Sequence, residues 1–267
     1  MNRTESPSLL SAHRARSAVL ESVIEIARAA GALVMAVYAT DFSVRGKGDA
    51  SPVTEADEAA EALILAGLAR IEPVLPVLAE ESVAAGRVPV LGARFWLVDP
   101  LDGTREFIAR NGEFTVNIAL IEDGAPVLGV VLAPALGRLY AGIVGAGAFV
   151  EAGGVRTPIA CRTVPAEGLT VLASRSHADA AALSAFLAGR KVAARTDIGS
   201  SLKLCLLAAG EADLYPRLGR TMEWDIGAGH AVLASAGGRI DDLAGKTLVY
   251  GKPGFDNPHF VASGLAG

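Results

Sequence analysis

Two carboxylates stand three residues apart in Asp99-Pro100-Leu101-Asp102-Gly103-Thr104, directly behind the apolar run Phe95-Trp96-Leu97-Val98. Hard divalent cations prefer oxygen ligands, so two acids delivered by one turn can converge on such an ion. The carbonyl of Leu101 lies between them as a neutral oxygen donor. The N–H groups of Gly103 and Thr104 open a short helix over 104–108, and a helix N-terminus favours bound phosphate. Metal and phosphate would therefore meet in one place. An Asx-turn with a helix cap accounts for an Asp-Gly pair by itself. The whole hexapeptide behind a strand, with more acids elsewhere in the chain, favours a site.

The further acids fall at the ends of other expected elements. Glu80 and Glu81 follow a second apolar strand, 74–79, and either is a second ligand candidate. Thr54-Glu55-Ala56-Asp57 opens a helix of roughly 55–71, with Thr54 as N-cap and acids in the first turn where the helix dipole favours them. That cap explains all four residues; the functional alternative has Asp57 beside the metal loop. Glu223-Trp224-Asp225-Ile226 begins another helix, and Asp225 is either part of its cap or a ligand from the far half of the chain. His230 reads as a packed histidine, and His13, His177 and His259 form no metal spacing with it.

Several hydrolase signatures are missing: G-x-S-x-G, H-E-x-x-H and G-x-x-x-x-G-K-[ST] do not occur. An aspartyl nucleophile of the dehalogenase type would want two aspartates separated by one residue, so Asp99 and Asp102 read as ligands.

These residues need elements to hold them. Apolar positions at helical spacing predict a long amphipathic helix over 14–39. A short strand, 42–45, precedes the loop 46–52, whose Lys47 reads as a solvated lysine that could approach an anion. Pro100 has no N–H to donate, which predicts that the strand ends at Asp99 and that Asp102 lies beyond it in a loop. Strands over 114–121, 127–132, 138–143 and 148–151 form an antiparallel meander turning at Glu122-Asp123-Gly124. Past Gly153-Gly154 strands (169–173, 192–196, 212–215) alternate with helices (178–187, 201–209), the pattern of an α/β half with some parallel pairing. The expected subdomains are 1–155, with the metal and phosphate loop, and 156–267, completing the metal and substrate site.

The chain has 267 residues, 51% of them hydrophobic, and a net charge of −5. That balance carries no electrostatic footprint for a nucleic-acid polymer. The N-terminal residues lack the apolar centre of a signal peptide, and no uncharged apolar stretch reaches the ~18 residues of a transmembrane segment. Cys161 and Cys205 supply neither a disulfide framework nor a zinc spacing and read as small buried side chains. The expected location is cytoplasmic, with peripheral attachment to the inner membrane left open.

Taken together, Glu80-Glu81, Asp99-x-x-Asp102-Gly103-Thr104 and Trp224-Asp225 resemble the inositol monophosphatase-like, lithium-sensitive, magnesium-dependent phosphatases. Residues 99–121, Gly199-Ser200-Ser201-Leu202-Lys203, Leu214-Tyr215-Pro216-Arg217 and Gly229-His230-Ala231-Val232 look like the 3'(2'),5'-bisphosphate nucleotidase (CysQ) branch. The loop 81–86 looks more like the inositol monophosphatases. The resemblance spans about residues 20–260 and implies a layered α/β/α/β/α sandwich of mixed α+β and α/β character, with the metal site between the halves. It implies two or three Mg2+ ions held by Glu80, Asp99, the Leu101 carbonyl, Asp102 and Asp225. Asp57 and Thr104 would position and deprotonate the attacking water, and the Gly103 and Thr104 N–H groups would hold the phosphate. Ser200, Ser201, Lys203 and Arg217 are candidates for the second phosphate or the ribose; the plainer reading makes them a helix N-cap and surface cations. Arg220 is a second arginine beside Arg217, and either could face the substrate. The substrate implied is a small nucleotide bisphosphate, adenosine 3',5'-bisphosphate, and its sulfated form. The alternatives are an inositol-1-phosphate phosphatase and a non-catalytic sensor of phosphate ligands.

Overall fold

The computed structural model describes residues 7–46, 52–175 and 179–265, with side chains from residue 15 onward. Lys47 and His177 lie outside the described residues. The first helix, α1 (Pro7–Tyr38), leads into the two-stranded ribbon β1 (Val44–Gly46) and β2 (Pro52–Thr54), then α2 (Glu55–Leu68). After β3 (Val77–Ala79) and the single-turn α3 (Glu80–Ala84) comes β4 (Arg94–Asp102), followed by α4 (Thr104–Ile108). The meander is β5 (Thr115–Glu122), β6 (Ala125–Ala133), β7 (Arg138–Ile143), β8 (Gly147–Ala152) and β9 (Val155–Ile159). The remainder is β10 (Leu169–Ser174), α5 (Ala180–Leu187), β11 (Val192–Ile198), α6 (Leu202–Ala208), β12 (Leu214–Arg217), α7 (Glu223–Ser235), β13 (Arg239–Asp242) and β14 (Phe260–Ser263).

The strands form a seven-stranded sheet in the order β3 to β9 and a five-stranded sheet ordered β11-β10-β12-β14-β13. Both faces of the larger sheet are covered, which is why its central strands read as continuous apolar runs. Side chains alternate between two cores. Trp96, Val98, Val116, Ile118, Leu128 and Val130 face α1 and α2. Phe95, Leu97, Ala119, Ile121 and Val131 face the middle layer, where Leu204, Val232 and Leu233 of α6 and α7 meet Leu172 and Phe260 of the smaller sheet. α7 lies so close to β6 that a Cβ on Gly129 would stand 2.3 Å from the carbonyl oxygen of Ala228. Only glycine allows this approach. Parallel pairing of β10 with β11 and β12, beside the antiparallel pairs of β14, makes the second sheet mixed.

Pro100 does not end its strand. Pairing runs to Asp99↔Asn117, skips, and resumes at Asp102↔Thr115. The extra residue makes a β-bulge, one of the few sheet positions where proline costs no ladder bond. Asp102 is therefore held by strand pairing and not by a free loop. Strand β9 continues the first sheet through Ile159, and the smaller sheet begins at Leu169. The periodicity also missed β13, β14 and α3, each too short to carry a period.

Candidate active site

A cleft of about 470 Å3 is lined by Glu80, Asp99, Asp102 and Asp225. It is also lined by Leu101, Gly103, Thr104, Ser200, Ser201, Lys203, Arg217 and Arg220. Residues spread over some 145 positions of sequence thus meet in one place. Among the described residues, no three His, Cys, Asp or Glu side chains are grouped closely enough to hold a metal ion by themselves.

The Asp99 turn is self-supporting: Leu101 N–H donates to Asp99 Oδ1 at 3.0 Å, so the bulge aims the carboxylate. Gly103 takes φ 92°, a left-handed value natural to glycine, and serves as the N-cap of α4 without a side chain. Asp57 does both things that its sequence position allowed. Its Oδ2 accepts from Thr54 N–H (2.8 Å) and Thr54 Oγ1 (2.7 Å), completing a capping box. Its Oδ1 accepts from Thr104 Oγ1 at 3.1 Å. Asp57 is buried behind the cleft and reaches it through Thr104.

Asp102 Oδ2 accepts from the Ser201 N–H and, at 3.5 Å, from Asn117 Nδ2. The Ser201 hydroxyl makes no cap bond; it donates to Asn117 Oδ1 at 2.8 Å and lies 2.9 Å from Thr115 Oγ1. Ser200 has φ 51°, a strained value for a residue with a Cβ. Lys203 and Arg217 are not surface cations: they are 3% and 7% exposed. Lys203 Nζ donates to the carbonyls of Ile198 (3.0 Å) and Ser200 (2.6 Å), and burial lowers its pKa to about 8. Arg217 gives one N–H to the Arg220 carbonyl, while its buried Nε has no partner. Arg220 is largely exposed and paired with Asp256.

Asp225 is the third residue of α7, and its Oδ2 accepts the Met222 N–H at 2.9 Å. Burial, followed by the charges of Asp102 and Glu80, raises its pKa. Burial likewise raises that of Asp102, opposed by Lys203 and the Ser201 N–H. Crowded acids that resist losing their protons are what a bound cation would relieve.

A sequence profile of the inositol monophosphatase family matches residues 15–264. The chain belongs to that family. It is 49% identical over 248 residues to the 3'(2'),5'-bisphosphate nucleotidase CysQ of Escherichia coli K12, a match covering 92% of this chain and 99% of the relative. The Salmonella typhimurium protein of the same description is 50% identical over 245 residues, covering 91% and 98%. Among solved structures, CysQ from Bacteroides thetaiotaomicron superposes with a TM-score of 0.78 at 34% identity, covering 92% of this chain and 97% of that one. An inositol monophosphatase from Anabaena superposes at 0.73 with 26% identity, covering 92% and 90%. The family fold is the layered α/β arrangement described above.

By chemistry though not by spacing, the candidate donor set is of the kind a hard divalent cation takes: no three of its acids are grouped closely enough to hold one. It is all oxygen, four carboxylates and one carbonyl, with neither His nor Cys. An open arrangement suits Mg2+, which keeps several waters and completes its shell with substrate phosphate. Sequence reasoning missed the groups behind these ligands. Buried Asn117 interrupts an apolar run, and that interruption was its only signal. Glu61, four residues after Asp57, accepts from Glu81 N–H and the Ser82 hydroxyl. Glu223, fully buried, accepts from Gly251 and Lys252 N–H groups and pairs with Lys252 Nζ at 2.7 Å. No local pattern announces those contacts.

Proposed function

We propose that this protein is a Mg2+-dependent phosphomonoesterase that hydrolyses the 3'-phosphate of adenosine 3',5'-bisphosphate, giving AMP and phosphate, and acts on the sulfated form as well. The observation that carries the reading is one cleft lined both by four acids and by the buried cations Lys203 and Arg217. A substrate with two phosphates needs both: a metal site for the ester to be cut and a separate positive site for the second phosphate. The bisphosphate nucleotidase description of relatives near half identity supports the same substrate class.

Glu80, Asp99, the Leu101 carbonyl, Asp102 and Asp225 would hold the metal. Mg2+ supplies Lewis-acid stabilisation of the attacking and leaving oxygens when bound. The N–H groups of Gly103 and Thr104, at the start of α4, bind the phosphate to be cleaved. The attacking water lies against Thr104 and gives its proton to Thr104 Oγ1, whose own proton passes to Asp57 Oδ1. The water oxygen bonds to phosphorus as the bond to the ribose 3'-oxygen breaks, and the departing 3'-oxygen takes a proton from solvent. Arg217, a buried cation lining the cleft, takes the second phosphate, and Lys203 anchors the Ile198–Ser201 turn beside it. Arg220, already paired, plays the lesser part.

The test is phosphate release from adenosine 3',5'-bisphosphate and inositol 1-phosphate side by side, with Mg2+ and then with added Li+. Preference for the nucleotide and loss of activity with Li+ are expected. Preference for the inositol ester would keep the mechanism and overturn the substrate. No release from either would favour another phosphate ester or the sensor reading. Asp99→Asn should abolish Mg2+-dependent turnover with the fold intact; retained turnover would remove Asp99 from the metal site.

A further inference from the structure

We propose that Glu61, a buried carboxylate outside the cleft, is a positioning residue that sets where Glu80 stands relative to the Asp99–Thr104 turn and so sets the affinity for Mg2+. This rests on the reading of Glu80 as a metal ligand.

β3 ends at Ala79 and α3 begins at Glu80 with no residue between them. α3 is one turn long, Glu80–Ala84, and its N-cap residue is Ala79, which has no side-chain acceptor to offer. The first N–H groups of any helix need partners. Here the partner arrives from another element: Glu61 of α2 accepts from Glu81 N–H at 2.7 Å with one oxygen and from the Ser82 hydroxyl at 2.6 Å with the other. Glu61 is 3% exposed. It is a cap supplied from a distance, and it locks the turn that projects Glu80 into the cleft.

Glu61 also has a fixed relation to Asp57. Residues four apart lie on one face of a helix. From that face of α2, Asp57 reaches Thr104 on the phosphate loop and Glu61 reaches the α3 turn. One rigid helix therefore braces both cleft segments just beyond the point where their strands pair at Ala79↔Val98. Groups that orient metal ligands typically change metal affinity by about 10–100-fold when removed.

The experiment compares the intact protein with E61A, E61Q and S82A. The first readout is the Mg2+ concentration at half-maximal thermal shift without substrate; the second is the Mg2+ dependence of turnover. E61A strips the acceptor from both donors and should raise half-saturation about tenfold, with the nucleotide KM at saturating Mg2+ within about twofold. E61Q can accept from Glu81 N–H through its oxygen and donate to the Ser82 hydroxyl through its nitrogen, so it should stay near the unsubstituted protein. S82A loses one of the two bonds and should fall between, which keeps the test open if E61A does not fold. Folded E61A or S82A with unchanged half-saturation would overturn the proposal, as would E61Q as damaged as E61A. An unsubstituted protein whose melting ignores Mg2+ would instead bring down the metal reading on which it stands.

Discussion

Gly129→Ala tests whether the approach of α7 to the sheet sets the site. The added methyl would lie 2.3 Å from the Ala228 carbonyl oxygen and 2.7 Å from the Ala231 Cβ. Ordinary contact is about 3.5 Å, so α7 must move off β6 by roughly 1 Å. Neither side yields easily, because one is helix backbone and the other a buried central strand. Overpacking of this kind costs ~1–3 kcal/mol, which for a chain of this size lowers Tm by roughly 3–10 °C. The functional effect should be larger than the stability loss suggests. Ala228 lies one turn after Asp225, so the displacement reaches a proposed ligand, and misplacement by ~1 Å can cost about 10²-fold in rate. The assay is kcat and Mg2+ half-saturation at 25 °C, well below either melting point, with Tm measured separately. Gly92→Ala is the control, since a Cβ there meets nothing within 4 Å. Wild-type kcat and Mg2+ dependence in Gly129→Ala would refute the reasoning.

Other consequences follow from buried groups. His230 lies 2.8 Å from the Tyr250 hydroxyl, and burial lowers its pKa from 6.5 to about 4. The unfolded chain then binds the proton more readily, so this stability is present above pH 6.5 and is lost as pH falls toward 4; the loss between pH 8 and 5 is about 2 kcal/mol. H230Q should show a pH slope shallower by that amount in urea unfolding, and an unchanged slope would remove His230 as its source. Lys203→Met should raise KM for the bisphosphate more than for a simple monophosphate, and equal effects would place Lys203 outside the second-phosphate site. Lys252→Met leaves the buried Glu223 charge without its ammonium, which should cost ~3–5 kcal/mol. A melting temperature within about 2 °C of the parent would show that the backbone N–H groups of Gly251 and Lys252 suffice.

The sequence by itself determined the chemistry and most of the elements. Oxygen-only donors at strand ends and helix starts follow from residue type, and so does the meander, because alternation and turn residues are local properties. Asp57 was legible as a cap and as a group beside the 99–104 turn, and its carboxylate bonds to both Thr54 and Thr104. Tertiary structure alone decided what local pattern cannot encode. Pro100 reads as a strand end until a partner strand is present to accept it in a bulge. In sequence Lys203 and Arg217 stand between substrate contacts and surface cations, and only the layer that buries them removes the surface reading. Arg217 and Arg220 look alike in sequence and differ in space, because only Arg220 has Asp256 within reach. Ser201 looks like a helix cap, yet its hydroxyl goes to Asn117 and Thr115, from a strand more than 80 residues away. Glu61 and Glu223 carry no local signal, since the N–H groups, the Ser82 hydroxyl and the Lys252 ammonium that they accept from come near them only in the folded chain.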